Sequence, residues 1–269
     1  MEVHVLASGS DGNCTVIESD GEAIMIDAGI SCRRIMKLME QEGVDKDIVK
    51  AILITHEHSD HVSGAGATAR KLDVPIVANE ATFNASNLGN VQHWVYKSNS
   101  CIDIGQFHVT PLQTFHNAVE PNCYFTEVDD DKKVLVCTDT GKFSFGIEHA
   151  LSIADVAVVE SNYDLDMLVN GPYPYSLKTL IGSDHGHMNN RDTASALRRT
   201  MGVNPGRKVF LAHLSKTNNT PDTARQTVAD GMGVRRMNID CLEFPGDTRT
   251  IGVKGRSRPP SRNLSAPVP

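Results

Sequence analysis

Apolar positions along this chain follow two periods. Short runs rich in Val, Ile and Leu predict strands at residues 3–7, 14–18 and 23–27, separated by the turn-forming Ser8-Gly-Ser-Asp-Gly-Asn13 and by Asp20-Gly21. From 31 to 42 the apolar residues fall at Ile35, Leu38 and Met39, the spacing of an amphipathic helix, and Gly43 closes it. A strand at 51–55 runs into a histidine-rich loop, 65–72 reads as helix and 75–78 as strand. The middle is mostly strand, at 107–112, 123–128, 133–138 and 155–160. Helices return at 190–201 and 222–229 around a strand at 208–213, and strands near 239–244 and 250–253 follow. Helices at the beginning, middle and end exclude a plain β-sandwich. The expected fold class is α+β, two mixed sheets packed together with helices on their outer faces. No internal repeat and no Gly-, Ser- or Pro-rich linker is visible, so 1–253 is expected to form one domain.

Composition narrows the picture. The 269 residues include 26 Lys plus Arg, 33 Asp plus Glu and 11 His, a net charge of −7. The stretch 254–269 carries Lys254, Arg256, Arg258 and Arg262 with no acid, among prolines and serines, and is expected to be a disordered, solvated tail. That leaves 22 basic against 33 acidic residues, or −11, on 1–253, which argues against a broad polymer-binding face. No run approaches the ~18 apolar residues of a membrane span, and the start has neither a basic nor a long apolar signal region, so the expected location is the cytoplasm and no membrane partner is expected. The six cysteines lie far apart without a C-x-x-C pair, which suggests neither a disulfide framework nor a cysteine zinc knuckle.

The histidines carry the chemistry. Thr55-His-Glu-His-Ser-Asp-His61 places four candidate ligands, His56, His58, Asp60 and His61, within six residues directly after a strand. A turn there can aim imidazoles and a carboxylate at one spot, with His56 and His58 serving one metal and Asp60 and His61 a second. Further candidates stand at strand ends: His116 in Thr114-Phe-His-Asn-Ala118, Asp139 in Thr138-Asp-Thr-Gly141 and His213 after Val209-Phe-Leu-Ala. Asp27, at the end of another strand, suits a carboxylate that orients a ligand imidazole. His4, His93 and His108 read as core or sheet-surface residues, and His149 and His185 as solvent-facing ones.

H-x-H-x-D-H with a preceding Asp and later His, Asp and His resembles the metallo-β-lactamase superfamily, over nearly all of 3–253. Ser8-Gly-Ser-Asp-Gly-Asn-Cys14, Glu160-Ser-Asn-Tyr-Asp164, Gly186-His187 and His213-Leu-Ser-Lys-Thr-Asn-Asn219 are similar to its YycJ-like (WalJ) branch, related to tRNase Z and to cyclic-nucleotide phosphodiesterases. The resemblance implies an αβ/βα sandwich with two divalent ions, zinc first and Mn or Fe as alternatives. Metal one would be held by His56, His58, His116 and bridging Asp139, metal two by Asp60, His61, Asp139 and His213. Such a pair brings the pKa of a shared water to roughly 7 and neutralises charge developing on a phosphoryl group. Asp60, Glu160 and His187 are the expected catalytic residues, with His187 as general acid or phosphate contact oriented by Glu160. Where the branch reads Gly-His-Leu-Ser-Asn, this chain has Gly186-His-Met-Asn-Asn190 and lacks that serine hydroxyl. Ser8, Ser10, Asn13, Asn218 and Asn219 stand as candidate substrate contacts, each with a conformational explanation beside it.

The implied activity is phosphodiester hydrolysis by metal-activated hydroxide, exonuclease-like, on DNA or RNA. A small-molecule enzyme for cyclic nucleotides, like the phage anti-Pycsar enzymes that resemble this branch, is the alternative. A non-catalytic metal scaffold is disfavoured because the full ligand set is present. The oligomeric state is not fixed, and a homodimer stays open.

Overall fold

In the computed structural model, which describes residues 1–97, 100–128, 132–200, 206–243 and 246–253, the first apolar runs pair as an antiparallel meander of β1 (Glu2–Ala7), β2 (Cys14–Ser19) and β3 (Glu22–Ile26). Helix α1 (Cys32–Glu42) buries Ile35, Leu38 and Met39 and ends at left-handed Gly43. Parallel strands follow: β4 (Val49–Leu53), then β5 (Ile76–Asn79) after α2 (Ser59–Val62) and α3 (Ala65–Leu72), then β6 (His93–Tyr96) after α4 (Glu80–Ala85). The second half repeats this plan. β7 (Ile102–Ile104), β8 (Phe107–Gln113), β9 (Asn122–Val128) and β10 (Lys132–Cys137) form an antiparallel meander. Helix α5 (Phe145–Ile153) leads to β11 (Val156–Glu160); α6 (Leu165–Asn170), α7 (Tyr175–Ile181) and α8 (Asn190–Thr200) precede β12 (Lys208–Ala212), and α9 (Pro221–Met232) precedes β13 (Ile239–Cys241). β10 to β13 are parallel. A last strand, β14 (Arg249–Gly252), returns to pair with β1. The two seven-stranded sheets have the orders β14-β1-β2-β3-β4-β5-β6 and β13-β12-β11-β10-β9-β8-β7.

Alternation along the strands sorts side chains into three cores. Along β3, Ala23 and Met25 pack with α1 and α3 residues, while Ile24 and Ile26 meet Phe107, Tyr124 and Val134 of the other sheet. Cys137, Ala157, Val159 and Leu211 pack beneath α5, α8 and α9. The result is a four-layer stack of helices, sheet, sheet and helices, as expected. The sequence repeat was not visible, but the strand plan is duplicated. Short β6 and β7 and helices α4, α6 and α7 were not predicted, because each is brief and lacks a full apolar period. The expected tail 254–269, Met201 and Phe244 lie outside the described residues. No helix among those described is long and apolar enough to cross a membrane.

Strands β3, β4, β8, β10, β11 and β12 all end at one edge of the stack, where ligands gather in sheets with parallel strands. Three of the five non-glycine residues with positive φ lie there: Asp27 (58°), Asp139 (56°) and His213 (54°). Each follows β3, β10 or β12 directly or by one residue, and the left-handed turn swings its side chain inward at a cost of about 1–2 kcal/mol. The loops behind them are stitched backbone to backbone. Asn13 N donates to Asp60 O (2.7 Å), Gly29 N to Asn13 O (2.9 Å) and Ala28 N to His61 O (2.9 Å).

This close approach requires glycine, since a Cβ at Gly29 would lie 1.6 Å from the Asp60 carbonyl oxygen. Gly29→Ala is therefore expected to destabilise the fold by about 3 kcal/mol or more, read as a fall in the urea midpoint. A loss under about 0.5 kcal/mol would show that the loop gives way freely.

Candidate metal centre

The sequence places a hydroxyl between two imidazoles and a carboxylate, and the fold uses it. Asp27 Oδ1 accepts the Thr55 N–H (2.9 Å), and Oδ2 accepts the Thr55 hydroxyl (2.9 Å) and faces His61 Nδ1 (2.7 Å). That fixes the ring of His61 with Nε2 pointing inward. Thr55, which the sequence reading passed over, also lies 3.0 Å from His56 Nδ1. A threonine directly before the first histidine was the available signal.

Three groups of donors result, the third, made by Asp139, Glu160, His187 and His213, overlapping the second. His56 Nε2 is 3.1 Å from His58 Nδ1, which is 3.3 Å from His116 Nε2. His116 is held from behind, its Nδ1 facing Gly186 O at 3.1 Å. Asp60, His61, Asp139 and His213 form the second group. Asp139 stands between the groups: Oδ2 is 3.0 Å from His61 Nε2, and Oδ1 is 3.7 Å from His116 Nε2 and 3.5 Å from His213 Nδ1. Every one of the seven residues that sequence motifs singled out as ligands is thus brought to one place.

Glu160, fully buried, joins the second group to His187. Its Oε1 lies 2.7 Å from His187 Nδ1 and 3.0 Å from His213 Nδ1, while Oε2 accepts the Thr140 and Met188 N–H groups (3.0 and 3.2 Å). A cavity of about 260 Å³ opens here, lined by Ser10, His58, Asp60, His116, Asp139, His185, His187 and His213 together with Leu177, Leu180 and Ile181.

Residues 7–213 match the family model described as the metallo-beta-lactamase superfamily. The chain belongs to the metallo-β-lactamase superfamily. It is 37% identical over 234 residues to exodeoxyribonuclease YycJ of Bacillus anthracis, covering 85% of this chain and 88% of the relative. Exodeoxyribonuclease WalJ of Streptococcus pneumoniae is 36% identical over 242 residues, 87% of this chain and 89% of the relative. Among solved structures, the metallo-beta-lactamase fold protein YhfI of Bacillus subtilis superposes with a TM-score of 0.70 at 17% identity, covering 93% of this chain and 98% of that one.

The donors fit the divalent metal this superfamily binds. Three imidazole nitrogens that converge within 3.3 Å cannot satisfy one another, since a proton shared by two leaves the third lone pair without a partner. Asp139 Oδ2 is buried and, despite its closeness to His61, accepts no hydrogen bond. A cation satisfies all of these at once.

Other expected contacts fall differently. Ser10 is exposed at the cavity. Ser8 Oγ instead accepts the His213 N–H (2.7 Å), and buried Asn13 faces Asp60 Oδ2 (3.3 Å) and His61 Nε2 (3.1 Å). Asn218 and Asn219 do not line the cavity: both are buried, and Asn219 Nδ2 donates to the carbonyls of Ser161 and Asn162 (2.9 and 3.1 Å). Neither caps α9, whose cap is Thr220. His149 is exposed as expected, and His185, also exposed, lines the same cavity as His187.

Charge differs between the first two groups. Burial, reinforced by the charge of His61, holds His56 well below the ordinary imidazole range, and burial lowers His116. Burial also opposes protonation of His61 and His213, but the carboxylates outweigh it: Asp27 and Asp139 raise His61 well above the usual range, and Asp139 with the Asp60 and Glu160 contacts pushes His213 up to about 10. A metal ligand must be a neutral imidazole. His56 and His116 are already neutral at pH 7, whereas His61 and His213 must shed protons, so affinity at their group rises as pH rises. Calorimetry in buffers of different ionisation heat is expected to show a first equivalent of Zn or Mn that binds with little proton release. The second should strengthen about tenfold per pH unit for each proton released. Equal proton release by both equivalents would contradict this.

Proposed function

We propose that the chain is a divalent-metal-dependent phosphodiesterase that hydrolyses phosphodiester bonds of nucleic acid, acting on DNA as an exonuclease in the cytoplasm. The observation that carries this reading is Glu160 with His187, a buried carboxylate and an imidazole beside two donor groups yet outside the set needed for two ions. YycJ and WalJ, named as exodeoxyribonucleases, support the nucleic-acid substrate.

His56, His58, His116 and Asp139 would hold one ion and Asp60, His61, Asp139 and His213 the other, with zinc the first assignment and Mn or Fe accepted by the same donors. When bound, the pair supplies Lewis-acid charge and a water whose pKa is brought to roughly 7. Asp27 and Thr55 keep His61 oriented. Glu160 holds Nδ1 of His187, which leaves Nε2 for the cavity that the ring lines. Burial lowers the proton affinity of His187 but the Glu160 charge more than restores it, so the ring holds a proton more firmly than a free imidazole does and can pass it to the departing alkoxide oxygen. All six cysteines are free, consistent with a reducing compartment.

One observation favours the alternative, a phosphodiesterase for cyclic nucleotides. Among the described residues no Lys or Arg lines the cavity, and the cations close to motif residues in sequence are engaged: Lys142 with Asp184, Lys178 with the Val169 carbonyl, Arg191 with Asp166 and Lys216 with Asp11. Turnover of duplex DNA, single strands and 2′,3′- and 3′,5′-cyclic nucleotides, assayed side by side with Zn or Mn, separates the two; hydrolysis of the cyclic substrates alone would refute the nuclease reading.

The acid role has its own signature. His187→Ala is expected to lower kcat on DNA about 100- to 10,000-fold with metal content unchanged. Bis(p-nitrophenyl) phosphate, whose leaving group departs without a proton, should lose far less. Equal losses on both substrates would remove His187 from that role.

A further inference from the structure

Helix α7 has no buried residue. Its apolar side chains Leu177, Leu180 and Ile181 nevertheless recur at the i, i+3, i+4 spacing that normally marks a face packed on a core. Here those side chains line the same cavity as His58, His116 and His187. Leu177 is 38% and Leu180 46% exposed. The helix is joined directly to the catalytic loop. His187 N donates to Ile181 O (2.9 Å), and a Cβ at Gly186 would lie 2.2 Å from both the Leu180 and Ile181 carbonyl oxygens. A group resting on the stripe is therefore held in a fixed relation to His187.

We infer that this stripe is the seat of the nucleobase of the nucleotide being cleaved, so that the enzyme receives one unpaired end of a strand. The inference rests on the phosphodiesterase reading above and adds to it what the substrate is held by. Three observations support a base as the occupant. The cavity is continuous with the metal donors, so whatever covers the stripe is attached to the group under attack. The stripe gives the one cavity of about 260 Å³ three aliphatic side chains, an apolar surface that suits a base rather than a phosphate. Among the described residues no Lys or Arg lines the cavity, so what binds there is gripped through apolar contact and the metal centre rather than through backbone charge.

A matched pair of substrates tests this: thymidine 5′-(p-nitrophenyl phosphate) and methyl p-nitrophenyl phosphate share a leaving group and differ in the base-bearing nucleoside. For Leu180→Asp and for Leu177→Asp, both at exposed positions, kcat/KM on the thymidine ester is expected to fall relative to the methyl ester by about tenfold, within the roughly 5- to 100-fold that loss of one base contact produces. Leu180→Met should restore the ratio, and Met237→Asp, on a separate exposed site, should leave it unchanged. Binding of a single-stranded oligonucleotide should weaken by less than about tenfold between 50 and 200 mM salt, against the ~1,000-fold or more of proteins that neutralise many phosphates. Parallel losses on both esters would mean that α7 only supports the metal centre, and would overturn the inference. Conversion of a wild-type dimer to a monomer by Leu180→Asp would make the stripe a subunit interface, and would overturn it too. Wild-type protein that cleaves the methyl ester but neither DNA nor the thymidine ester would instead defeat the nuclease reading itself.

Discussion

A buried carboxylate surrounded by imidazoles sets the terms for this molecule. Asp139 is 3% exposed and lies within 3.8 Å of His61, His116, His187 and His213. Taking an ionised carboxylate out of water is costly unless positive charge compensates it. The surrounding rings respond by holding protons on the His61 and His213 side, and the burial of Glu160 and Asp27 and the partial burial of Asp60 follow the same logic. The protons keep the place of cations, so the same electrostatics that stabilises the buried acids defines where metal goes.

The backbone is arranged to make that crowding possible. Strands from both sheets end at one edge, and left-handed residues turn Asp27, Asp139 and His213 inward where an extended chain would carry them past the site. Strain of this kind persists only if its surroundings hold it. The carbonyl and amide bonds linking Asn13, Ala28, Gly29 and the 60–61 backbone provide that hold, on the side where the chain has no strand to do so.

Much of this was legible beforehand, and the reasons are physical. Short apolar runs gave β1 to β4 and β8 to β12 within a residue or two, because most of these strands are buried on both faces, while β8 alternates buried with more exposed positions. His56, His58, Asp60 and His61 announced themselves by density, and His116, Asp139 and His213 by standing at strand ends. Thr55 and Asn162 were silent: a hydroxyl that bridges Asp27 to two rings, or an amide that donates to His213 O (2.8 Å), is ordinary in sequence and defined only by what the fold brings near. Helix α7 was silent for another reason. Gly171, Pro172 and Pro174 break the pattern before it, and among the described residues none of its apolar stripe is buried. Asn218 and Asn219 follow His213 closely in sequence but are buried outside the cavity that His213 lines.

The duplicated strand plan has a consequence for how the two halves of the chain hold together. Asp27 and 56–61 come from the first sheet, while His116, Asp139, Glu160 and His213 come from the second, and β14 crosses back to the first as a strap. Neither sheet owns a complete set of donors. An ion bound there is a rivet across the seam, and its occupancy is a gauge of how closely the halves are seated. The catalytic centre thereby doubles as the fastening of the fold, so conditions that strip metal also loosen the join on which regaining it depends.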